Sequence, residues 1–594
     1  MPTTTTWNLP HYFYDSLTDS RIDADIATWL PITREFADRY RGKIRLFTTP
    51  EEVLEYYEYS ETLSMVGKKT MHYLSYLSSL DTQDTEVQKK LGELEYLGIQ
   101  LAELTLFISQ EWKELGADAI RAFSESPLLT AYKNDLVQQA DTVQYLLGED
   151  VELALTKKSR ALGIFGLHEE LRSSFEFPWT DEKWVEKKIT EEEIRAFSRN
   201  PDRDIRRRAS ESLQSVYLIH QNQITFWNLY SGIIKNWSSS IDLRGYKTVM
   251  SKRNISEQLP DDVVDVLMSQ VQKHFPLYQR FLAAKQKHLG VSELYGYDVG
   301  APIYSIEKKI PYEEACTMVL DMFGSFDVRF HDYAKAMIEE GRIDAFPKAG
   351  KRGGAFASYD KGVESFVLLN YTETINDVFT LAHELGHAIH GHLAQIQTSP
   401  VYDAPLVLAE TASIFSENLL MQRIQATLSP EERLELLNQK LMDVFGSIHR
   451  QIMYVSFERR VHEYIHAGGE MTYRELNLWW DEESKKLSGT TITPILTPEK
   501  NYGWSSIPHI FSTPFYCYAY SFGMLTSLSL VQKYHNEWPQ MIEDYVSLLS
   551  SGGSVAPVDI LNSIGIDVLK PEFYEDAFAV IDELVGEFER LAIK

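Results

Sequence analysis

Across most of this chain the apolar residues recur three and four positions apart, the spacing of a helix that hides one stripe and wets the rest. The pattern runs through "VQKKLGELEYLGIQLAELTLFISQEWKEL" (87–115), "IRRRASESLQSVYLIHQNQITFWNLYSGIIKNW" (205–237) and "PDDVVDVLMSQVQKHFPLYQRFLAAKQKHLG" (260–290). Such helices bury their stripes against one another, so the expected fold class is mainly α. At 594 residues the chain exceeds the roughly 250 to 300 residues at which a single core stops growing, and more than one lobe is expected. From about residue 50 to 150 the pattern reads as helical hairpins. "SSFEFPWTDEKW" (173–184) interrupts it with turn formers, and Thr190 and Glu193 restart it at capping-box spacing. A boundary is expected there, between a helical N-terminal domain over 1–190 and a second domain over 191–594.

Strand-like material is scarce. The best candidate is "ESFVLLNYTET" (364–374), behind the loop "KAGKRGGAFASYDKG" (348–362). It comes just before the most unusual segment of the chain, so one small sheet beside that segment is expected.

Hydrophobic residues at 44% and charged residues at 24% exclude a disordered or fibrous chain. A net charge of -28 repels a phosphate backbone, so no nucleic-acid partner is expected. No run approaches 18 apolar residues, and "MPTTTTWNLP" lacks the basic and apolar regions of a secretory signal, so no membrane partner is expected either. Cys316 and Cys517 are the only cysteines, too few for a disulfide framework or a thiolate metal cluster. The expected location is the cytoplasm, and any metal must be held by histidine and carboxylate.

"TLAHELGHAIHGH" (380–392) carries four of the 16 histidines. On a helix His387 lies about 40° around the axis from His383, with Glu384 on the flank of the same face. Two imidazoles one turn apart can share one ion while the glutamate stands beside it, which is the H-E-x-x-H pattern of zinc peptidases, of which thermolysin is one. Asn376 or Asp377 is expected as the N-cap, and Val378, Leu381, Leu385 and Ile389 as the packed stripe. Zinc needs a third protein ligand and an open position for water. The extended metzincin pattern requires glycine at 390 and histidine at 393, where this chain has His390 and Leu393. "PLVLAETASIFSENLLMQRI" (405–424) instead offers Glu410 near a helix start, and Glu417 two turns on, placed to accept the outer N–H of a ligating imidazole. The expected set is therefore one Zn2+ on His383, His387 and Glu410, Glu384 as general base, and Glu417 behind a histidine. His390 and His392 are left to packing or solvent.

These residues carry a family resemblance. "HELGHAIHG", "AETAS" around Glu410 and "IPHIFSTPFYCYAYSFG" (507–523) resemble the M3 zinc peptidases, specifically the oligoendopeptidase F branch. "GYKT", "LYGYDVGAP" and "FVLLNYT" extend the likeness over roughly 190 to 585, and the N-terminal part is similar to that family's accessory domain. The resemblance implies two helical lobes around a deep channel with zinc at its floor, admitting oligopeptide substrates and excluding folded proteins. It also implies that the "FVLLN" edge, ending at Asn370, pairs with the substrate backbone, while Gly353 and Gly354 let a loop approach the peptide. In "HIFSTPFYCYAY" the alternating aromatics suggest a strand by period alone. The resemblance places the segment on a helix, with Tyr516 and Tyr520 on one face and, together with His509, available as donors to the substrate carbonyl. Arg206, Arg207 and Arg208 read as a solvated helix face, and Cys517 as a small buried hydrophobe.

The function expected is a zinc-dependent endopeptidase that cuts internal bonds of short peptides. A helical zinc carboxypeptidase would share the motif but need a cationic pocket for the substrate C-terminus. A non-catalytic zinc-containing peptide-binding protein would have no use for the intact general base.

Overall fold

The apolar stripes become helices, and the helices gather into two compact units. The computed structural model describes residues 4–152, 154–155, 164–181, 184–304, 308–537 and 539–592; helices dominate them and the sheets are small, as expected. One unit is built from residues 1–149, 307–424 and 533–566, the other from 150–306, 425–532 and 567–594. Chain order and compactness therefore differ. The N-terminal helices share a unit with the small sheet and the histidine segment, whereas the expected division near 190 follows the order of the chain.

In the first unit, helices Ser20–Tyr40, Pro50–Met65, Phe107–Leu115 and Lys133–Val143 enclose an aromatic core that includes Phe36, Tyr56, Tyr57 and Trp112. A second cluster joins Trp7, Phe13, Tyr73 and Tyr76 to Phe366 and Leu368 of a strand. That strand, Val363–Leu368, is the middle one of three, parallel to Ile343–Asp344 and antiparallel to Phe356–Asp360, with Ala357 opposite Val367. Successive strand residues face opposite ways. Phe366 and Leu368 meet the N-terminal aromatics, while Ser365 turns to the other side and donates from Oγ to the Ala388 carbonyl (3.3 Å). The sheet thus lies between the N-terminal helices and helix Ile375–Leu393, which carries the four histidines.

The strand expected at 364–374 is present but shorter, and "FVLLN" is no edge. Its run is paired on both sides, and the free edge belongs to Phe356–Asp360 within the stretch read as a loop. "FASYD" mixes small, polar and aromatic residues, so it lacks the apolar alternation that marks a strand. From this strand Ser358 meets Tyr76 (3.0 Å between the hydroxyls), and Asp360 accepts from Lys68 and His72 (2.5 and 3.1 Å).

In the second unit a hairpin, Phe177–Thr180 with Glu186–Ile189, occupies part of the stretch read as turns, whose residues 182 and 183 lie outside the described residues. Thr190 caps helix Glu191–Ala196 with Glu193 as its reciprocal partner, as the spacing predicts. The basic run divides. Arg206 is buried and donates to Asp298 and to the carbonyls of Asn200, Pro201 and Tyr297, so it ties the start of its helix to a neighbouring turn. Arg207 alone lies in exposed ion pairs, with Asp204 and Glu211. Cys517 is buried. Among the described residues no helix is long and apolar enough to cross a membrane.

Candidate metal centre

The histidine helix starts two to three residues earlier than expected. Its N-cap is Thr374, and Asp377 is the third helical residue of a capping box, accepting from the Thr374 N–H (3.0 Å) while its own N–H reaches Thr374 Oγ1 (3.3 Å). Asp377 therefore does cap the helix, from inside it, and Asn376 does not.

The helix then crosses Thr411–Ile424 at Gly386. A Cβ there would stand 2.7 Å from the Ala412 carbonyl oxygen and 2.8 Å from Ser413 Cα, backbone atoms that cannot rotate away. Only glycine permits this approach. A second glycine, Gly391, lies under the Tyr359 ring, where a Cβ would stand 2.5 Å from the ring carbon. Glu410 sits at the break between the short helix Leu406–Ala409 and Thr411–Ile424, so its side chain leaves the chain at the point of closest helix contact.

The outcome is a convergence of three donors. Glu410 Oε2 lies 3.5 Å from His383 Nε2 and 3.3 Å from His387 Nε2, and the two rings stand 4.8 Å apart at 81°. Metal–ligand distances of about 2.0 to 2.2 Å in a tetrahedral site place neighbouring ligand atoms about 3.3 Å apart. Glu410 stands at that spacing from both imidazoles, and the donor atoms of His383, His387 and Glu410 all lie within 4.8 Å of one another, a set that could hold one metal ion. The supporting groups are in place as well. Glu417 Oε1 is 2.6 Å from His383 Nδ1, which leaves Nε2 to face Glu410, and Ser413 Oγ donates to Glu410 Oε2 (2.8 Å).

Electrostatics follow the same arrangement. Burial opposes a charge on His383, but the hydrogen bond to Glu417 and the charges of Glu417, Glu384 and Glu410 outweigh it and carry its pKa up to about 9. Burial likewise opposes ionisation of Glu410, and the bond to His387 with both imidazoles brings it down to about 2. An ion bound here replaces the proton that His383 otherwise holds. Glu384 is almost fully buried; burial pushes its pKa up, and the two imidazoles and the neighbouring Ala357 backbone pull it back.

His390 and His392 stay out of the cluster. His390 is buried, with its pKa lowered to about 4 by burial and by His387, and its Nδ1 meets no hydrogen-bond partner. His392 stacks on Tyr333 at 3.9 Å. In the loop before the edge strand, Asn370 Nδ2 donates to the carbonyls of Arg352 (3.0 Å) and Gly354 (2.7 Å), so Asn370, Gly353 and Gly354 are brought together. Gly354 has φ +76, which favours glycine, and nothing lies within 4 Å of a Cβ built at Gly353.

His509, Tyr516 and Tyr520 gather in the second unit, on a different local structure from the one expected. Helices Pro508–Ser512 and Tyr518–Glu537 are separated by a turn in which Phe515 has φ +63, so Tyr516 precedes the helix that carries Tyr520. The rings of Tyr516 and Tyr520 still meet at 5.1 Å, and His509 Nε2 lies 3.2 Å from the Tyr520 hydroxyl. Sequence reasoning missed Ser413, the Ala357 backbone and the role of Gly386, although the glycine inside H-E-L-G-H was a readable signal for close helix packing.

A family model for peptidase family M3 matches residues 196–580, well over half of the chain. The chain belongs to peptidase family M3. Among its relatives it is 26% identical over 562 residues to an oligoendopeptidase F homolog of Lactococcus lactis subsp. lactis, covering 92% of each chain. It is also 26% identical over 563 residues to oligopeptidase PepF of Bacillus subtilis, covering 94% of this chain and 83% of that one. The crystal structure of oligoendopeptidase-F from Enterococcus faecium shares its fold, with a TM-score of 0.72, 22% identity and coverage of 96% and 99%. This M3 peptidase is a metalloendopeptidase of the oligoendopeptidase F kind, and its substrates are peptides.

The helix contact makes Gly386→Ala informative. The added methyl meets fixed backbone, an overpacking cost of about 1 to 3 kcal/mol. Titration with a competing chelator should show metal affinity at least about tenfold weaker, whereas Gly92→Ala, in open space on another helix, should leave it unchanged. Glu417→Gln should weaken the metal by about 10- to 100-fold through loss of the charged acceptor at His383 Nδ1.

Proposed function

We propose that this chain is a zinc-dependent endopeptidase that hydrolyses internal bonds of short peptides in the cytoplasm. The single observation that carries the chemistry is the placement of Glu384, buried one residue after His383 and one turn short of the donor cluster's second imidazole, with its pKa raised by burial. His383, His387 and Glu410 would hold the metal ion, which when bound would supply Lewis acidity toward the scissile carbonyl and a water. Glu384 takes the proton from the attacking water and returns it to the leaving amine, and burial, by raising its pKa, makes it the better proton acceptor. Glu417 keeps the ring of His383 oriented, and the zinc assignment rests on the nitrogen and carboxylate donors without thiolate.

For the substrate backbone the structure supports Ala357 over "FVLLN". The Val367 N–H donates to Arg342 across the sheet, which makes Ala357 and Val367 a non-hydrogen-bonded pair. The Ala357 N–H and C=O are therefore left on the free edge beside Glu384, where an extended peptide can add as a strand. Asn370, by holding the Gly353–Gly354 loop, shapes the start of that edge. By the family resemblance, Tyr520, Tyr516 or His509 donates to the carbonyl oxygen as charge develops. The family match starting at residue 196 supports residues 191–594 as the catalytic domain and 1–190 as accessory. Oligopeptidase names among relatives similar over nine-tenths of the chain support short substrates, and the two buried free cysteines fit a reducing compartment.

Glu384→Gln should keep the metal and lose at least about a hundredfold in kcat, because an amide cannot accept the proton. Glu410→Ala should lose the metal itself; equal metal content in the two variants would contradict the division of roles. Mass spectrometry of a mixed peptide pool should show internal cleavage of peptides of roughly 5 to 20 residues, abolished by chelator and restored by zinc, with folded proteins spared. Release of only single C-terminal residues would assign a carboxypeptidase instead.

A further inference from the structure

The turn between helices Pro508–Ser512 and Tyr518–Glu537 contains an arrangement that packing alone does not require. Phe515 has φ +63, a region that side-chain-bearing residues avoid, yet its own side chain is fully buried against His462, with ring centroids 4.6 Å apart. The peptide unit joining Pro514 to Phe515 is held at both polar ends. Its N–H donates to Glu458 Oε1 (3.1 Å), and its C=O accepts from Arg253 Nε (3.2 Å). Glu458 is fully buried on helix His449–His466; Arg253, on helix Ser251–Ser256, is mostly buried and also pairs with Glu257. Two side chains from separate helices thus grip one peptide plane.

Turning that plane over would change ψ of Pro514 and φ of Phe515 together, relieving the unfavourable φ. It would also point the C=O at a carboxyl and the N–H at a guanidinium, breaking both bonds. The clamp therefore selects the strained turn. What the turn decides is where Tyr516 leaves the chain and how it meets Tyr520, whose hydroxyl lies 3.2 Å from His509 Nε2.

We infer that Glu458 and Arg253 are positioning residues for the reaction, which hold the Pro514–Phe515 peptide plane and through it the tyrosines. This rests on the proposed donor role of that cluster. Burial raises the Glu458 carboxyl to about 8, so near neutrality it is mostly protonated, and a neutral carboxyl still accepts through its carbonyl oxygen. An amide does the same, which makes Glu458→Gln a faithful replacement and Glu458→Leu the disruptive one.

The test uses the full-length, metal-loaded enzyme. Glu458→Leu should speed amide hydrogen exchange over residues 513–520, lower kcat about tenfold to a hundredfold, and leave KM and metal content unchanged. Glu458→Gln should match the unaltered enzyme in all four. Tyr516→Phe and Tyr520→Phe test the two tyrosines as donors on their own, and wild-type kcat in both overturns the tyrosine donor reading, on which this positioning role rests, without touching the exchange measurement. Added to whichever tyrosine variant lowers kcat, Glu458→Leu should cost nothing further. Unchanged exchange over 513–520 in Glu458→Leu overturns the clamp. Faster exchange with wild-type kcat, or losses that multiply in the double variant, overturns its positioning role.

Discussion

The contact at Gly386 is the constraint on which the metal centre depends. Two helices approach until the backbone of one fills the space where the other would carry a Cβ. Everything chemical follows from that distance. His383 and His387, one turn apart, face Glu410 at the break in the second helix, and Glu417 reaches His383 from two turns further along. A larger residue at 386 would push apart ligands whose separations of 3.3 and 3.5 Å match the spacing around a single tetrahedral ion. The three donors are half-buried and draw on one another's charge: the imidazoles bring the Glu410 pKa down to about 2, and the carboxylates carry His383 up to about 9.

The N-terminal helices matter to this centre through the sheet. Their aromatics cover one face of strand Val363–Leu368, and the histidine helix covers the other. Asp360 and Ser358 of the edge strand are tied to helix Lys68–Leu80 by Lys68, His72 and Tyr76. The edge that offers Ala357 beside Glu384 is thereby held from behind, by residues that no catalytic motif would point to. The N-terminal stretch thus supports the sheet in space, and the compact unit draws on three separate parts of the chain.

Much of the centre was legible because its chemistry has the period of a helix. His383, Glu384 and His387 lie on one face by arithmetic, and Glu410 and Glu417 are spaced by two turns. What escaped was set by contacts between segments distant in sequence. The Phe356–Asp360 strand has no apolar alternation because neither of its faces is fully buried. Phe515 takes its conformation from Glu458 and Arg253, distant in sequence, so the turn ahead of Tyr516 was not legible in a segment read as strand by period and as helix by resemblance. Arg206 looked solvated because a basic run on a helix usually is, and only the fold brings Asp298 to it. The N-cap, expected at Asn376 or Asp377, fell at Thr374 because Asp377 serves the capping box from the inside.

Gly386 lets the helices of His383, His387 and Glu410 touch, and the three donors are thereby placed to share one ion. Anomalous diffraction from crystals of the metal-loaded protein, recorded on either side of the zinc absorption edge, tests it directly. The account predicts a single strong zinc peak per chain at bonding distance, about 2.0 to 2.2 Å, from both Nε2 atoms and a Glu410 oxygen. A zinc peak placed elsewhere, or one lacking any of those three ligands while Gly386 remains packed on Ala412, would contradict it.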